Sequence, residues 1–243
     1  MENNKPEYAN WISKRIPLSG GIATMAFTAT SILTYLSRGR ANVLSIILCC
    51  IAMVSCLFTI YMATARVMLS YNGGNIQSYV LDSVLSYLDT LQWDGNGALL
   101  DIGCGSGAMS IKAAKKFYTA KITGIDYWGK GWDYSQQLCR RNAELEGGAK
   151  RITFRQGDAA KLPFADGTFA AAISNFVFHE VRTQPDKLAL VREALRVIKP
   201  GGNFVFQDIF FAKSHYGDIA AFVNALKPYV SEIHFVDTRH PSY

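Results

Sequence analysis

Two stretches near the N-terminus carry no charged side chain over a length that suffices to cross a lipid bilayer. They run over residues 16–37 and 41–65, with Arg38 and Arg40 between them. A helix rises about 1.5 Å per residue, so about 20 apolar residues cross a hydrocarbon core of roughly 30 Å. We therefore predict two transmembrane helices, at about residues 16–37 and 42–65, as a hairpin within a membrane anchor of residues 1–70.

Two other structures fit these stretches less well. A signal peptide has a shorter apolar segment and is not followed at once by a second one. A buried helix of a soluble protein does not need to be uncharged all the way round. Basic residues are more numerous at the outer ends of the hairpin than in its turn, where Arg38 and Arg40 lie; those at the outer ends are Lys5, Lys14, Arg15 and Arg66. This bias predicts that both termini, and the domain that follows, are cytoplasmic.

From about residue 75 the pattern changes to short apolar strands that alternate with amphipathic helices. Apolar residues recur every three or four positions from Ile76 to Leu91, which predicts a helix. Strands are predicted at residues 98–102, 121–126, 151–156, 170–178 and 203–209, with helices between them up to residue 117 and at residues 136–146 and 187–197. This alternation predicts an α/β domain over residues 75–243, with a doubly wound, mostly parallel sheet.

Composition agrees with a hairpin followed by one domain. Apolar residues make up 49% of the chain, and their excess lies in the two N-terminal stretches. The net charge is +6, with basic residues concentrated in residues 112–121 and 140–155. Such clusters either face anionic lipid headgroups or form solvated helix faces, and both interpretations stay open. No aromatic and basic reading surface for nucleic acid stands out. The five cysteines and four histidines form no disulfide framework and no metal-site pattern.

A glycine-rich segment follows the first predicted strand. It reads Asp101-Ile102-Gly103-Cys104-Gly105-Ser106-Gly107. Glycines let the backbone approach a ligand closely, and an acid beside them suits a cationic group better than a pyrophosphate. The P-loop pattern G-x-x-x-x-G-K-[ST] does not occur in the chain. A glycine turn by itself does not decide which nucleotide is bound.

The wider pattern resembles class I S-adenosylmethionine-dependent methyltransferases, in particular the type 11 group that includes the quinone-biosynthesis enzymes. Residues 101–107 match the D/E-x-G-x-G-x-G loop, and an acid, Asp126, ends the second strand. Gly157-Asp158-Ala159 matches the third motif. Residues 162–169 match L-P-F-x-D-x-x-F, and residues 190–202 match the helix and turn before the fifth strand. The resemblance covers residues 98–209.

This resemblance implies S-adenosylmethionine as the cofactor. Asp126 would then accept hydrogen bonds from the ribose hydroxyls, and Asp158 with Ala159 would lie near the adenine. The other predicted cofactor-binding residues are Asp101, Gly103, Cys104, Gly105, Gly107, Tyr127 and Asn175. Residues 127–132 form an unusual aromatic insertion, either a wall beside the adenine or the substrate, or a packed surface loop.

The chain departs from the family pattern in two further places. Ala170 stands where the subgroup usually has Asp. Class I domains usually end in an antiparallel pair of strands, of which Glu232–Asp237 would be the first. Because the chain ends at Tyr243, no second strand follows, and the sheet edge would stay unpaired. We expect either a C-terminal truncation or an edge completed by a partner.

Candidate catalytic groups follow the fourth strand. His179 and Glu180 are expected at the active-site edge of the sheet, where His179 would deprotonate or orient the methyl acceptor. A structural histidine is the alternative. Asp208, His215 and Tyr216 are further candidates for lining the acceptor pocket.

We therefore predict transfer of a methyl group to a small or lipophilic acceptor at the cytoplasmic membrane face. Two alternatives stay open: a thiol or phenol methyltransferase merely anchored in the membrane, and a non-catalytic membrane scaffold that retains the fold. Assembly as a homo-oligomer is also open. The sequence does not identify the acceptor.

Overall fold

The computed structural model describes residues 4–8, 10–71, 73–74, 76–129 and 134–238. These residues form two compact units. The hairpin unit contains residues 10–71, 73–74 and 76–79, and the sheet unit contains residues 4–8, 80–129 and 134–238. A functional division into an anchor of residues 1–70 and a catalytic domain of residues 75–243 stays a prediction.

The hairpin unit is built on two long helices, α1 (Arg15–Arg38) and α2 (Val43–Met68). Gly39 ends α1 in the left-handed conformation, with φ of 63°. The side chain of Asn42 accepts a hydrogen bond from the backbone N–H of Ser45, and the Ser45 hydroxyl accepts one from the backbone N–H of Asn42. These reciprocal bonds satisfy two donors at the start of α2 and so define where that helix begins.

Small residues let the two helices approach each other closely. A Cβ atom added at Gly20 would lie 2.5 Å from the Oγ1 atom of Thr59. The hydroxyl of Thr24 donates to that of Ser55 across a distance of 3.0 Å. Such small-residue and hydroxyl contacts are typical of helices that associate in lipid.

The outer surface of the hairpin is apolar. Most large apolar side chains of these helices are exposed. Val43, for example, is 75% exposed and Leu57 is 67% exposed. By length and composition, both helices are able to cross a membrane. Their bounds agree with the predicted residues 16–37 and 42–65 to within three residues.

The sheet unit contains five parallel strands in the order β3-β2-β1-β4-β5. The strands are β1 (Ala98–Ile102), β2 (Lys121–Asp126), β3 (Ile152–Gln156), β4 (Phe169–Asn175) and β5 (Ile198–Gln207). The helices are α3 (Ile76–Thr90), which begins in the hairpin unit, α4 (Ala108–Lys116), α5 (Gln136–Leu145), α6 (Lys187–Arg196), α7 (Lys213–Tyr216) and α8 (Ile219–Leu226). The predicted doubly wound α/β fold is confirmed.

The strand order determines where a ligand site can form. From β1 the chain adds β2 and β3 on one side, and then β4 and β5 on the other. Strands β1 and β4 therefore form the switch point, where their carboxyl ends leave a crevice between loops that diverge in opposite directions. The core beneath it is apolar and includes Leu100, Ile102, Phe169 and Leu190.

Two predicted strand boundaries differ from the structure by three residues or more. Strand β4 ends at Asn175 rather than Phe178, because Phe176 adopts a φ of 54° that turns the chain, and residues 178–180 then form a 3-10 turn. Strand β5 begins at Ile198, which pairs with Phe169 ahead of an irregularity in the ladder.

The predicted strand Glu232–Asp237 is wrong: these residues form no strand. A strand requires a partner for its backbone groups, and among the described residues β5 pairs only with β4.

Candidate functional site at the switch point

The glycine loop connects β1 to α4 and lies at the carboxyl end of the central strand. Gly103, Gly105 and Gly107 have φ values of 73°, 56° and 82°, in the region that L side chains rarely adopt. At Gly103 an added Cβ would lie only 2.1 Å from the Cγ2 atom of Val177. Gly103 is thus required both by its backbone conformation and by the close approach of the segment after β4.

Asp126, at the end of β2, is tied directly to this loop. One carboxylate oxygen accepts the N–H of Gly105 at 2.8 Å, and the other accepts the N–H of Trp128 at 2.7 Å. Burial raises the pKa of Asp126, although these backbone hydrogen bonds oppose that rise. Each oxygen retains a second lone pair, so the carboxylate can still accept hydroxyl groups of a ligand.

Trp128 covers the same loop from the segment after β2. Its indole N–H donates to the carbonyl oxygen of Gly105 at 2.9 Å, and its φ of 45° is unusual for a residue with a side chain. Tyr127, predicted to bind the cofactor, is 64% exposed. Lys130, Gly131 and Trp132 of the aromatic insertion lie outside the described residues.

Asp101 lies beneath the loop and is fully buried. Its Oδ2 atom accepts the hydroxyl of Ser110 at 2.5 Å, whereas Oδ1 has no hydrogen-bond partner among the described residues. Burial raises the pKa of Asp101 to about 7, and the nearby charge of Asp126 adds to this rise, whereas the Ser110 hydrogen bond opposes it. A buried carboxylate oxygen without a partner is a strong acceptor for a cationic or hydrogen-bonding ligand group.

Two cysteines also contact the loop. Cys139, on α5, donates its thiol to the carbonyl oxygen of Gly105 at 3.0 Å. Cys104 is buried, and this burial raises the pKa of its thiol well above the usual range. Cys104 is therefore a neutral thiol that packs within the loop, without the thiolate character of a nucleophile.

Asp158 follows β3, next to Asp126. The N–H of Gly157 donates to the carbonyl oxygen of Asp126 at 3.0 Å. The Oδ1 atom of Asp158 accepts the N–H of Ala160 at 2.8 Å and the hydroxyl of Thr183 at 3.0 Å. This carboxylate organises its own turn, and Ala159, the other predicted residue of this motif, lies in the same turn.

Two side-chain amides lie at the carboxyl ends of β4 and β5. Asn175 and Gln207 are partners in the ladder between these strands. The Oδ1 atom of Asn175 and the Oε1 atom of Gln207 are buried without a hydrogen-bond partner among the described residues. Together with Asp101, they leave unfilled acceptors at this edge of the sheet, which fits a cofactor that carries a positive charge and several hydrogen-bond donors.

His179 is held by a carboxylate from the neighbouring strand. Its Nδ1 atom lies 2.6 Å from Oδ1 of Asp208, whose side chain has no exposed area. Its Nε2 atom lies 3.4 Å from Oε1 of Glu180. Burial alone would lower the pKa of His179, but the hydrogen bond and charge of Asp208, with the charge of Glu180, raise it overall.

Further polar groups surround this pair. Lys187 is buried, and its ammonium group donates to the carbonyl oxygens of Val181 at 2.6 Å and Gln184 at 3.2 Å. Burial lowers the pKa of Lys187, against the charges of Asp208 and Glu180. Burial and the charge of Asp208 both raise the pKa of the Tyr216 hydroxyl. The ring centroid of His215 lies 6.0 Å from that of His179.

The structure thus joins Asp101 and Asp126 through the glycine loop and its neighbours, and it pairs His179 with Asp208. Sequence reasoning missed the hydroxyl of Ser110 and the contact of Trp128 with Gly105. Ser110 lies outside every motif, and its contact with Asp101 follows from the first turn of α4 packing on β1. No sequence signal points to either contact.

Comparison with known proteins matches part of this chain to a known family. Residues 100–206 match the family described as a methyltransferase domain. Over 115 residues the chain is 36% identical to a demethylmenaquinone methyltransferase of Desulfitobacterium hafniense, covering 46% of this chain and 42% of that protein. Over 121 residues it is 35% identical to an arsenite methyltransferase of Aquipseudomonas alcaligenes, covering 46% of this chain and 32% of that protein. The chain therefore matches less than half the length of these curated relatives.

A solved structure shares the fold. The structure of geranyl diphosphate methyltransferase in complex with GPP and sinefungin superimposes with a TM-score of 0.50 and 19% identity, over 63% of this chain and 60% of that chain. At this identity the comparison concerns the fold alone.

Proposed function

We propose that this chain, whose residues 100–206 match a methyltransferase domain, uses S-adenosylmethionine to methylate a small or lipophilic acceptor at a membrane face. The observation that carries the proposal is the glycine loop at the switch point, with the carboxylates of Asp101 and Asp126 beside it. S-adenosylmethionine, when bound, supplies a methyl group on a positively charged sulfur that needs no further activation.

The residues of the site then have three tasks. Asp126 accepts hydroxyl groups, and the buried carboxylate of Asp101 complements positive charge. The loop glycines allow close approach of the backbone. Holding an acceptor in line at about 3–3.5 Å from the methyl carbon, away from water, contributes roughly 7–11 kcal/mol to such a reaction.

His179 is the proposed acid–base group. Hydrogen bonding of its Nδ1–H to Asp208 favours the tautomer in which Nε2 carries the lone pair. That nitrogen takes the proton of an acceptor hydroxyl, amine or carbon acid, and the carboxylate of Asp208 stabilises the imidazolium that forms. Glu180, next to Nε2, passes the proton on or orients the acceptor.

The apolar hairpin supports a membrane location and a lipophilic acceptor. Its large side chains face outward, as lipid contact requires. One relative is named for a quinone, demethylmenaquinone. We propose that the hairpin crosses the bilayer twice and holds the domain on the cytoplasmic side, where an acceptor reaches it from the membrane plane.

A two-step assay on the full chain in detergent tests the proposal. Calorimetry first measures S-adenosylmethionine binding, which we expect at a ratio of one per chain; a scaffold that only retains the fold need not bind it. Labelled cofactor is then offered with quinone, fatty-acid and sterol acceptors in mixed micelles, and in parallel with water-soluble thiols and phenols. Activity confined to the soluble acceptors would refute the lipophilic substrate and favour the anchored thiol or phenol enzyme.

A further inference from the structure

The N-terminal segment of the sheet unit contacts the glycine loop, although it lies outside every motif. Tyr8 is only 4% exposed. The hydroxyl of Ser106, within the loop, donates to the backbone carbonyl oxygen of Tyr8 at 3.0 Å. The N–H of Glu7 donates to the Oδ1 atom of Asn142 at 2.9 Å. Residues far apart in the chain thus meet beside the loop.

Asn142, on α5, joins this segment to the loop. Its side-chain amide donates to the carbonyl oxygens of Glu7 at 2.8 Å and of Ser106 at 3.0 Å. Asparagine is unfavourable in a helix interior, and a buried amide is costly unless it is hydrogen-bonded. Asn142 is 1% exposed. Its presence in the interior of α5 is therefore explained by its contacts with Glu7 and Ser106, and not by the stability of the helix itself.

Tyr8 extends the contact to the helices on either side. Its hydroxyl donates to Oε1 of Glu146, at the end of α5, at 2.8 Å. Glu146 also pairs with Lys115 of α4, the helix that the glycine loop leads into. The pair with Lys115 is the main cause that lowers the pKa of Glu146, so this carboxylate is charged at neutral pH. The segment is thus bonded to the loop and to α5, and through Glu146 it is linked to α4.

We infer that Asn142 and the segment Glu7–Tyr8 are positioning residues for cofactor binding, which hold Ser106 and its neighbouring glycines in the conformation that receives S-adenosylmethionine. The inference rests on the proposed function, because the ligand of this loop is the cofactor of that function. Glycine-rich backbone loses much conformational freedom when it is ordered. Contacts that order the loop before binding reduce that cost and so raise affinity.

Two single variants and two matched controls test the inference in the full chain. Ser106→Ala removes one hydroxyl, and Asn142→Ala removes the amide bridge. Ser86→Ala, on the exposed side of α3, and Asn224→Ala, exposed on α8, are the controls. Calorimetry well below the unfolding temperature should show the Kd for S-adenosylmethionine raised about 2- to 12-fold in Ser106→Ala, and at least as much in Asn142→Ala. Both controls should bind as the wild type does.

Hydrogen exchange separates positioning from a purely structural role. Coupling is reciprocal, so the cofactor must in turn stabilise the docked segment. Adding S-adenosylmethionine should slow amide exchange at Glu7 and Tyr8 in the wild type, and less so in Ser106→Ala.

Unchanged affinity in Ser106→Ala would overturn the inference, and so would amide exchange at residues 4–8 that does not change when the cofactor is added. If Asn142→Ala does not fold, the smaller change in Ser106→Ala still tests the inference. A wild type that does not bind S-adenosylmethionine would overturn the proposed function as well, whereas wild-type binding with unaffected variants would overturn the inference alone.

Discussion

His179 illustrates how a single neighbouring carboxylate changes what a side chain can do. A solvated histidine exchanges between two tautomers, but here the carboxylate of Asp208 binds Nδ1 at 2.6 Å. The same carboxylate accepts the backbone N–H of His179 at 3.2 Å and that of Ile209 at 2.7 Å. Asp208 is thereby fixed in place, and it fixes the imidazole in turn.

Replacing Asp208 with Asn should lower the pKa of His179. The charge and hydrogen bond of Asp208 raise that pKa above its usual value of 6.5, so removing the charge moves it down. Because only the neutral imidazole accepts a proton, wild-type activity should rise with pH through the pKa of His179, and in Asp208→Asn this limb should shift to lower pH. NMR titration of the His179 ring measures the shift without an acceptor.

The control for this prediction is Asp82→Asn, which removes an exposed carboxylate that pairs with Lys112. It should leave both the titration and the pH profile unchanged. His179→Ala should reduce turnover by about 10²–10⁴-fold if the histidine is the base. Full turnover in His179→Ala would show that the pair is structural.

At the scale of elements, the connection from β1 to α4 depends on glycine for two separable reasons. Gly103 and Gly201 have nearly the same φ, 73° and 75°. An added Cβ at Gly103 would lie 2.1 Å from Val177, whereas at Gly201 it would meet nothing within 4 Å. The two positions therefore separate backbone strain from steric overlap.

Gly201→Ala should cost only the strain of an L residue in the left-handed region, about 1–2 kcal/mol. Gly103→Ala should lower the free energy of unfolding further, because Val177 must move as well. Thermal unfolding of both variants measures the difference. Adding Val177→Ala should restore part of the stability lost in Gly103→Ala but none in Gly201→Ala. If both single variants lost the same free energy of unfolding, the close approach of Val177 would not contribute to the cost of the substitution.

The pairing of α1 with α2 offers a second matched comparison. A Cβ at Gly20 would lie 2.5 Å from Thr59 Oγ1, but one at neighbouring Gly21 would meet nothing within 4 Å. Gly20→Val should therefore separate the helices and lower the thermal stability of the hairpin in detergent, whereas Gly21→Val should have little effect. Equal stability of the two variants would mean that the helices do not pack closely at Gly20.

At the scale of the whole molecule, the two units have opposite surface chemistry. The hairpin unit exposes most of its large apolar side chains, whereas the sheet unit has a buried apolar core. A bilayer is the environment that satisfies the first surface, and water satisfies the second. This contrast supports the proposed membrane location of the hairpin, whereas the proposed orientation rests on the distribution of basic residues at its ends.

A labelling experiment tests that orientation. Arg40→Cys places a thiol in the hairpin turn, and Ser86→Cys places one on the exposed side of α3. In intact cells, a membrane-impermeant maleimide should label Arg40→Cys, but it should label Ser86→Cys only after permeabilisation. The wild type, whose Cys49, Cys50 and Cys56 lie in the apolar helix α2, gives the background labelling. The reverse pattern would invert the proposed topology, and labelling of both without permeabilisation would exclude a double span.

The sequence by itself determined the features that depend on local pattern. Uninterrupted apolar length predicted two helices, and alternation of strands and helices predicted the α/β fold. Buried strands between turn residues were located to the residue at 98–102 and 121–126. The glycine motif and the acids after the strands predicted a cofactor loop, because their spacing along the chain is itself the signal.

Only the tertiary structure decided which distant residues meet. The pairing of His179 with Asp208 depends on β5 lying beside β4, and the contact of Ser106 with Tyr8 joins residues that are 98 positions apart in the chain. The beginning of β5 at Ile198 likewise required knowledge of which strand lies beside it. Such contacts are set by strand order and packing, which no local periodicity encodes, and for that reason they became visible only in three dimensions.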